Sequence, residues 1–101
     1  MGNEKFDVVF KEVADRQILE ILKYIAFKGY PETAVNFAGQ LYDFGNSLAV
    51  QPSKYQICRK PSLAKRELRC AVFKKNYVFI YKIVGNEVII YSIIHAKRYV
   101  F

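Results

Sequence analysis

The run from Tyr77 to His95 constrains this chain more than any other stretch. Two arms rich in β-branched and aromatic residues, 77–84 and 87–95, flank the dipeptide Gly85-Asn86. Such residues fit a pleated, half-buried surface. A two-residue Gly-Asn connection suits a primed turn, in which Gly accepts the positive φ that strand twist demands. A β-hairpin is therefore expected over 77–95. Upstream, 65–73 is long enough for a third strand, with Lys74-Lys75-Asn76 as its turn. Residues 65–98 then read as a three-stranded antiparallel meander that runs straight into His95-Ala96-Lys97-Arg98-Tyr99. Strict alternation along the last arm puts Ile89, Tyr91, Ile93 and His95 on one face.

The first half reads as packing for that sheet. Residues 5–11 alternate, with Phe6, Val8 and Phe10 on one side, as in a half-buried strand. From Val13 to Phe27 the period becomes helical: Ala14, Ile18, Ile21, Leu22 and Ile25 form a stripe, with Asp15, Arg16, Glu20 and Lys23 off it. Gly29 is a C-terminal stop, and Pro31 with Glu32 suits the first turn of a second helix. Ala34, Phe37, Ala38, Leu41, Phe44, Gly45 and Leu48 make its apolar stripe. It stops before Pro52, about 18 residues or roughly 27 Å long. Ala38 and Gly45 on that stripe would let the other helix or the sheet come close. Residues 52–64 show no clean period and read as a loop. The order is β-α-α-β-β-β, an α+β fold with a helical hairpin packed on one face of a small, mainly antiparallel sheet.

Charge divides the chain unevenly. Residues 1–53 hold five basic and seven acidic side chains, whereas residues 54–101 hold eleven basic and two acidic, within a net charge of +7. That basic half, with Lys54, Arg59, Lys65, Arg66, Lys74, Lys75 and Lys97 as its candidate nucleic-acid contacts, is suited to a polyanion or an acidic partner protein. No stretch of 18 uncharged apolar residues exists, so no membrane span is expected. The N-terminus lacks the apolar region of a secretory signal. With nothing to indicate export, Cys58 and Cys70 are expected to be reduced thiols in a cytoplasmic protein.

Several chemistries have no residues to carry them. The sequence has no glycine-rich phosphate loop, no Gly-x-Ser-x-Gly elbow and no His-Glu-x-x-His. One His and two Cys cannot make a zinc site of the usual ligand count, and no cofactor is expected. Glu67 and Glu87, the only carboxylates of the basic half, cannot equip a two-metal nuclease. Metal-free RNA cleavage needs less: cations to stabilise the phosphorane charge, with a general base and acid. Arg69, Arg98, Lys97 and Arg66 are candidate cations, since Arg forks onto two phosphate oxygens. His95 is the one side chain that titrates near neutrality without help, although a structural, hydrogen-bonded His fits the same position.

The order β-α-α-β-β-β, the segment 76–83, the Gly-Asn turn and Ile93-Ile94-His95-Ala96-Lys97-Arg98 together resemble the RelE/ParE toxin superfamily of bacterial type II toxin–antitoxin operons. The resemblance covers nearly the whole chain, so residues 1–101 are expected to form one such toxin domain. It implies a growth-inhibiting toxin neutralised by a cognate antitoxin. It implies one of two targets: mRNA cleaved in the ribosomal A site, as by RelE-like members, or DNA gyrase, as by ParE-like members. Carried over by position, Arg98 matches the Arg after the last strand of RelE-like nucleases, and Arg69 matches a basic residue on their second strand. Tyr99 and His95 would then be the proton-transfer groups. The chain departs from the nuclease pattern at Val78, where Arg is usual, at Ala71, basic in RelE, and at Val100 and Phe101, which replace a catalytic His-Tyr ending. His95 matches a His common in the ParE-like branch. A basic RNA- or protein-binding module without catalysis is the alternative, with Tyr and Phe between the cations available for stacking.

Overall fold

The computed structural model describes residues 5–99. Strand β1 (Asp7–Phe10) is followed by helices α1 (Glu12–Phe27) and α2 (Pro31–Ser47), and a short helix α3 (Pro61–Ala64). Strands β2 (Arg69–Phe73), β3 (Tyr77–Val84) and β4 (Glu87–His95) complete it. The sheet order is β1-β4-β3-β2, with β1 parallel to β4 and the remaining pairs antiparallel. This is the α+β arrangement that the periodicities imply.

Local chemistry explains the element ends. Gly29 takes φ +99°, which no β-carbon obstructs, and Tyr30 N–H closes the end of α1 on Ile25 C=O at 3.3 Å. Pro31 then opens α2. The β3–β4 turn has a positive φ at Gly85 but not at Asn86, the type II′ pattern. The β2–β3 turn is different. Lys74 and Lys75 both take positive φ, 52° and 65°, and Asn76 N–H bonds Phe73 C=O at 3.2 Å. That is the φ signature of a type I′ turn built from residues that resist it.

The two helices cover one face of the sheet. Ala14 and Ile18 of α1, and Ala38 and Leu41 of α2, meet Phe79 and Tyr81 of β3 and Val88, Ile90 and Ile93 of β4 in one buried cluster. Phe6, Val8 and Phe10 pack on the same side. Gly45 is where the sheet comes close: a β-carbon there would lie 2.5 Å from Phe10 Cζ and 3.0 Å from Ile90 Cδ1. Rings from α2 interlock with the strands, Phe44 with Phe79 at 4.9 Å between centroids and Phe37 with Tyr77 at 5.5 Å.

Four sequence expectations are corrected. The second strand begins at Arg69, not at 65, because 65–68 closes a turn after α3 in which Glu67 takes φ 60°. The alternation of β4 breaks: Ile80 pairs with Ser92 but Tyr81 with Ile90, so Tyr91 is an extra, bulged residue. Val88 and Ile90 therefore share the helix-facing side with Ile93, while Tyr91 and Ile94 join the opposite side. The third concerns 52–64, read as an open loop. Cys58 and Leu63 from this region, with Leu68 just beyond it, lie against Val78, Ile80 and Ile94, so residues 58–68 and Tyr99 form a second, smaller core on the face away from the helices. The cysteines are not free thiols. Cys58 and Cys70 form a disulfide with their Cα atoms 5.1 Å apart, and it ties that covering segment to β2. Folding brings together two residues whose chain context had argued for reduction.

Candidate functional site

Arg69 starts β2 opposite Tyr81 and therefore lies on the helix-facing side. Its Nη1 donates to Tyr55 C=O at 2.6 Å and to Ser53 C=O at 3.3 Å. Beside it the Tyr81 hydroxyl donates to Pro52 C=O at 2.5 Å. Arg69 and Tyr81 together pin the 3-10 turn Pro52–Lys54 that follows α2. Burial pushes the Tyr81 phenol up to about 12, the Arg69 guanidinium opposing and Tyr55 adding to the rise. Lys54 rests over the Tyr55 ring at 5.2 Å at the same place.

Tyr99 belongs to the other face. Its hydroxyl lies 3.5 Å from Cys70 Sγ and accepts from the Lys60 N–H at 3.4 Å, sealing the second core. Arg66 lies over the Tyr91 ring at 6.0 Å on that side, with Arg59 and Lys65 exposed on the covering segment.

His95 ends β4 opposite Tyr77, and the rings meet edge to face at 5.3 Å. His95 Nδ1 accepts from the Lys97 N–H at 3.1 Å, which starts the 3-10 turn Ala96–Arg98. The same turn is anchored to the neighbouring hairpin, since Ala96 N–H donates to Asn76 C=O at 2.7 Å. Lys97 and Arg98 are thus brought to the end of the sheet that also carries Lys74 and Lys75, all four exposed. Lys74 donates to Gln40 Oε1 at 2.6 Å.

The candidate residues fall into three places. Arg69 and Lys54 hold the turn after α2; Arg59, Lys65, Arg66 and Tyr99 lie with the segment over the second face; Lys74, Lys75, His95, Lys97 and Arg98 share one corner. Arg69 and His95 pair with Tyr81 and Tyr77, which are four positions apart on β3, roughly 13 Å at ~3.3 Å per residue. The four residues put forward for catalysis do not converge. Among the described residues, no group of three or more His, Cys, Asp or Glu could hold a metal ion. No described helix is long and apolar enough to cross a membrane. Gln17 of α1, which no motif singled out, accepts the Ile93 N–H and donates to Ser92 Oγ next to the β4 bulge, and only foreknowledge of that bulge could have drawn attention to it.

A chain from the structure titled "Chromosomal ParDE TA system from P. aeruginosa" superposes with a TM-score of 0.77 over 92% of this chain and 98% of that one, at 12% identity, and so shares the fold. Among curated proteins none matches the sequence. Residues 8–99 match the family model for the ParE toxin of the type II toxin–antitoxin system parDE, and the chain belongs to that family.

Proposed function

We propose that this toxin acts by binding rather than by cutting RNA, that its target is DNA gyrase, and that a cognate antitoxin with acidic residues neutralises it by covering the basic half of the chain. One observation carries the reading. Arg69, the sheet cation best matched to a nuclease role, commits its Nη1 to the Tyr55 and Ser53 carbonyls. Both bonds use Nη1 and fix the guanidinium as a pin for the turn after α2, whereas stabilising a phosphorane needs donors aimed at it in advance. Tyr99, the other proton-transfer candidate, lies with the second core, away from His95. Departures at Ala71 and Val78 point the same way: both side chains are buried apolar groups where a nuclease would present cations. Membership of the ParE family supports a gyrase target over a ribosomal one.

The test is tightly controlled expression in a bacterium, following thymidine and amino-acid incorporation, with supercoiling by purified gyrase measured alongside. Thymidine incorporation should fall first, and the purified toxin should inhibit supercoiling. An early fall in amino-acid incorporation with cut mRNA would overturn the proposal.

A further inference from the structure

The corner formed by the β2–β3 turn and the C-terminal 3-10 turn gathers four exposed cations, of which Lys74 also donates to Gln40 Oε1 of α2 at 2.6 Å. Lys74 and Lys75 occupy both central positions of a type I′ turn at φ 52° and 65°. A residue with a β-carbon is strained there, and Asn-Gly fills the same two positions at lower cost. Strained positions that keep costly residues mark places where the side chain matters more than the backbone. Ala96 N–H, bonded to Asn76 C=O at 2.7 Å, docks the second turn on the first and adds Lys97 and Arg98. Between the two turns Tyr77 and His95 form a half-buried aromatic ledge, their centroids 5.3 Å apart. The carboxylate lining the cleft beside Lys74 is Asp43 of α2.

We propose that Lys74, Lys75, Lys97 and Arg98 form a nucleic-acid-binding corner that grips backbone phosphates, with the Tyr77–His95 ledge beside it. Four exposed cations on two adjoining turns offer several phosphate contacts at one place, and a ring ledge next to them suits bases or sugars more than the carboxylates of an acidic peptide. Such a corner serves either toxin target. It suits DNA presented by gyrase and RNA alike, because phosphate is what the corner reads.

The proposal makes an unusual pair of demands on one variant. Lys74→Asn combined with Lys75→Gly relieves both strained φ values and should raise Tm by several degrees, while nucleic-acid affinity falls several-fold. The measurement is fluorescence anisotropy of the purified toxin with a labelled DNA duplex, a labelled single-stranded RNA and a labelled poly-glutamate peptide across a salt series. Each cation lost from the corner should reduce the salt slope by about 0.9 on duplex and about 0.7 on single strands. Lys97→Ala with Arg98→Ala should act likewise, and the charge-matched Arg59→Ala with Lys65→Ala should change affinity far less. Duplex and RNA bound alike means phosphate alone is read; preference for the single strand means the ledge stacks bases. Both support the corner. It is overturned if the stabilised Asn-Gly variant binds as well as the parent, if the Arg59 and Lys65 pair matters equally, or if poly-glutamate binds and neither nucleic acid does.

Discussion

Gln17 of α1 plugs the bulge of β4: its Oε1 accepts the Ile93 N–H at 2.7 Å, and its Nε2 donates to Ser92 Oγ at 3.1 Å. The bulge takes that N–H out of the regular ladder, and a half-buried donor needs a partner. Gln17→Ala or Gln17→Leu should therefore cost about 1–3 kcal/mol. Urea unfolding should show a lower midpoint with an unchanged slope. A variant as stable as the parent would mean that water serves Ile93 equally well.

Two glycines of α2 should respond to alanine with opposite signs. At Gly45 the new methyl would meet Phe10 Cζ at 2.5 Å, and overpacking of this kind costs about 1–3 kcal/mol, more than the helix propensity gained. At Gly39 nothing lies within 4 Å, so Gly39→Ala should stabilise by about 0.5–1 kcal/mol. Thermal unfolding of the two variants side by side checks both signs.

The Tyr81 phenol, fully buried and bonded to Pro52 C=O, titrates at about 12 rather than 10.0. Its folded value lies above the unfolded one, so its contribution is whole below pH 10 and is lost as pH climbs towards 12. The loss should be on the order of 2 kcal/mol. Tyr42 and Tyr77, both raised chiefly by burial, act in the same direction. Tyr81→Phe should be less stable near neutrality, having left the Pro52 carbonyl without its donor, and should show a shallower alkaline decline. Denaturation across alkaline pH, with tyrosinate absorbance followed in parallel, measures this.

Reduction should weaken the second core. The disulfide spans a sequence separation of 12, and closing a loop of about that length is worth about 3 kcal/mol. Adding a reductant, or substituting Cys58→Ala with Cys70→Ala, should lower the unfolding midpoint accordingly. Equal stability with and without reductant would show that packing of Leu63, Leu68 and Tyr99 suffices.

Arg69 and Arg98 should separate stability from action. Arg69→Ala strips the turn after α2 of a charged donor and should cost about 1.5–3 kcal/mol. Any loss of toxicity should then follow the loss of folded protein. Arg98→Ala, an exposed change, should leave Tm within about 2–4 °C of the parent because surface substitutions move stability little. Its growth inhibition should fall no further than the nucleic-acid affinity lost at the corner. Tm, growth curves and duplex affinity for both variants give the answer, and a stable Arg98→Ala that keeps its nucleic-acid affinity but loses both toxicity and mRNA cleavage would restore the nuclease.

Local periodicity by itself determined which segments became strands and helices, where Gly29, Pro31 and Gly85 ended or opened them, and that a basic sheet would be covered by an apolar helical hairpin. Those choices depend on residues close together in the chain, where side-chain spacing and backbone preference act directly. The tertiary structure decided the rest. One bulged residue, Tyr91, reverses the parity of β4, so no alternation rule could place Ile93 and His95 on their observed face. Cys58 found Cys70, and Arg69 found the carbonyls of Ser53 and Tyr55, because the chain after α2 folds back over the edge of the sheet. The cations that looked alike in the sequence were sorted by that packing into pins for a turn, a cover for a core and one open corner. Spacing along the chain carries no record of which backbone oxygens will be waiting when a guanidinium arrives.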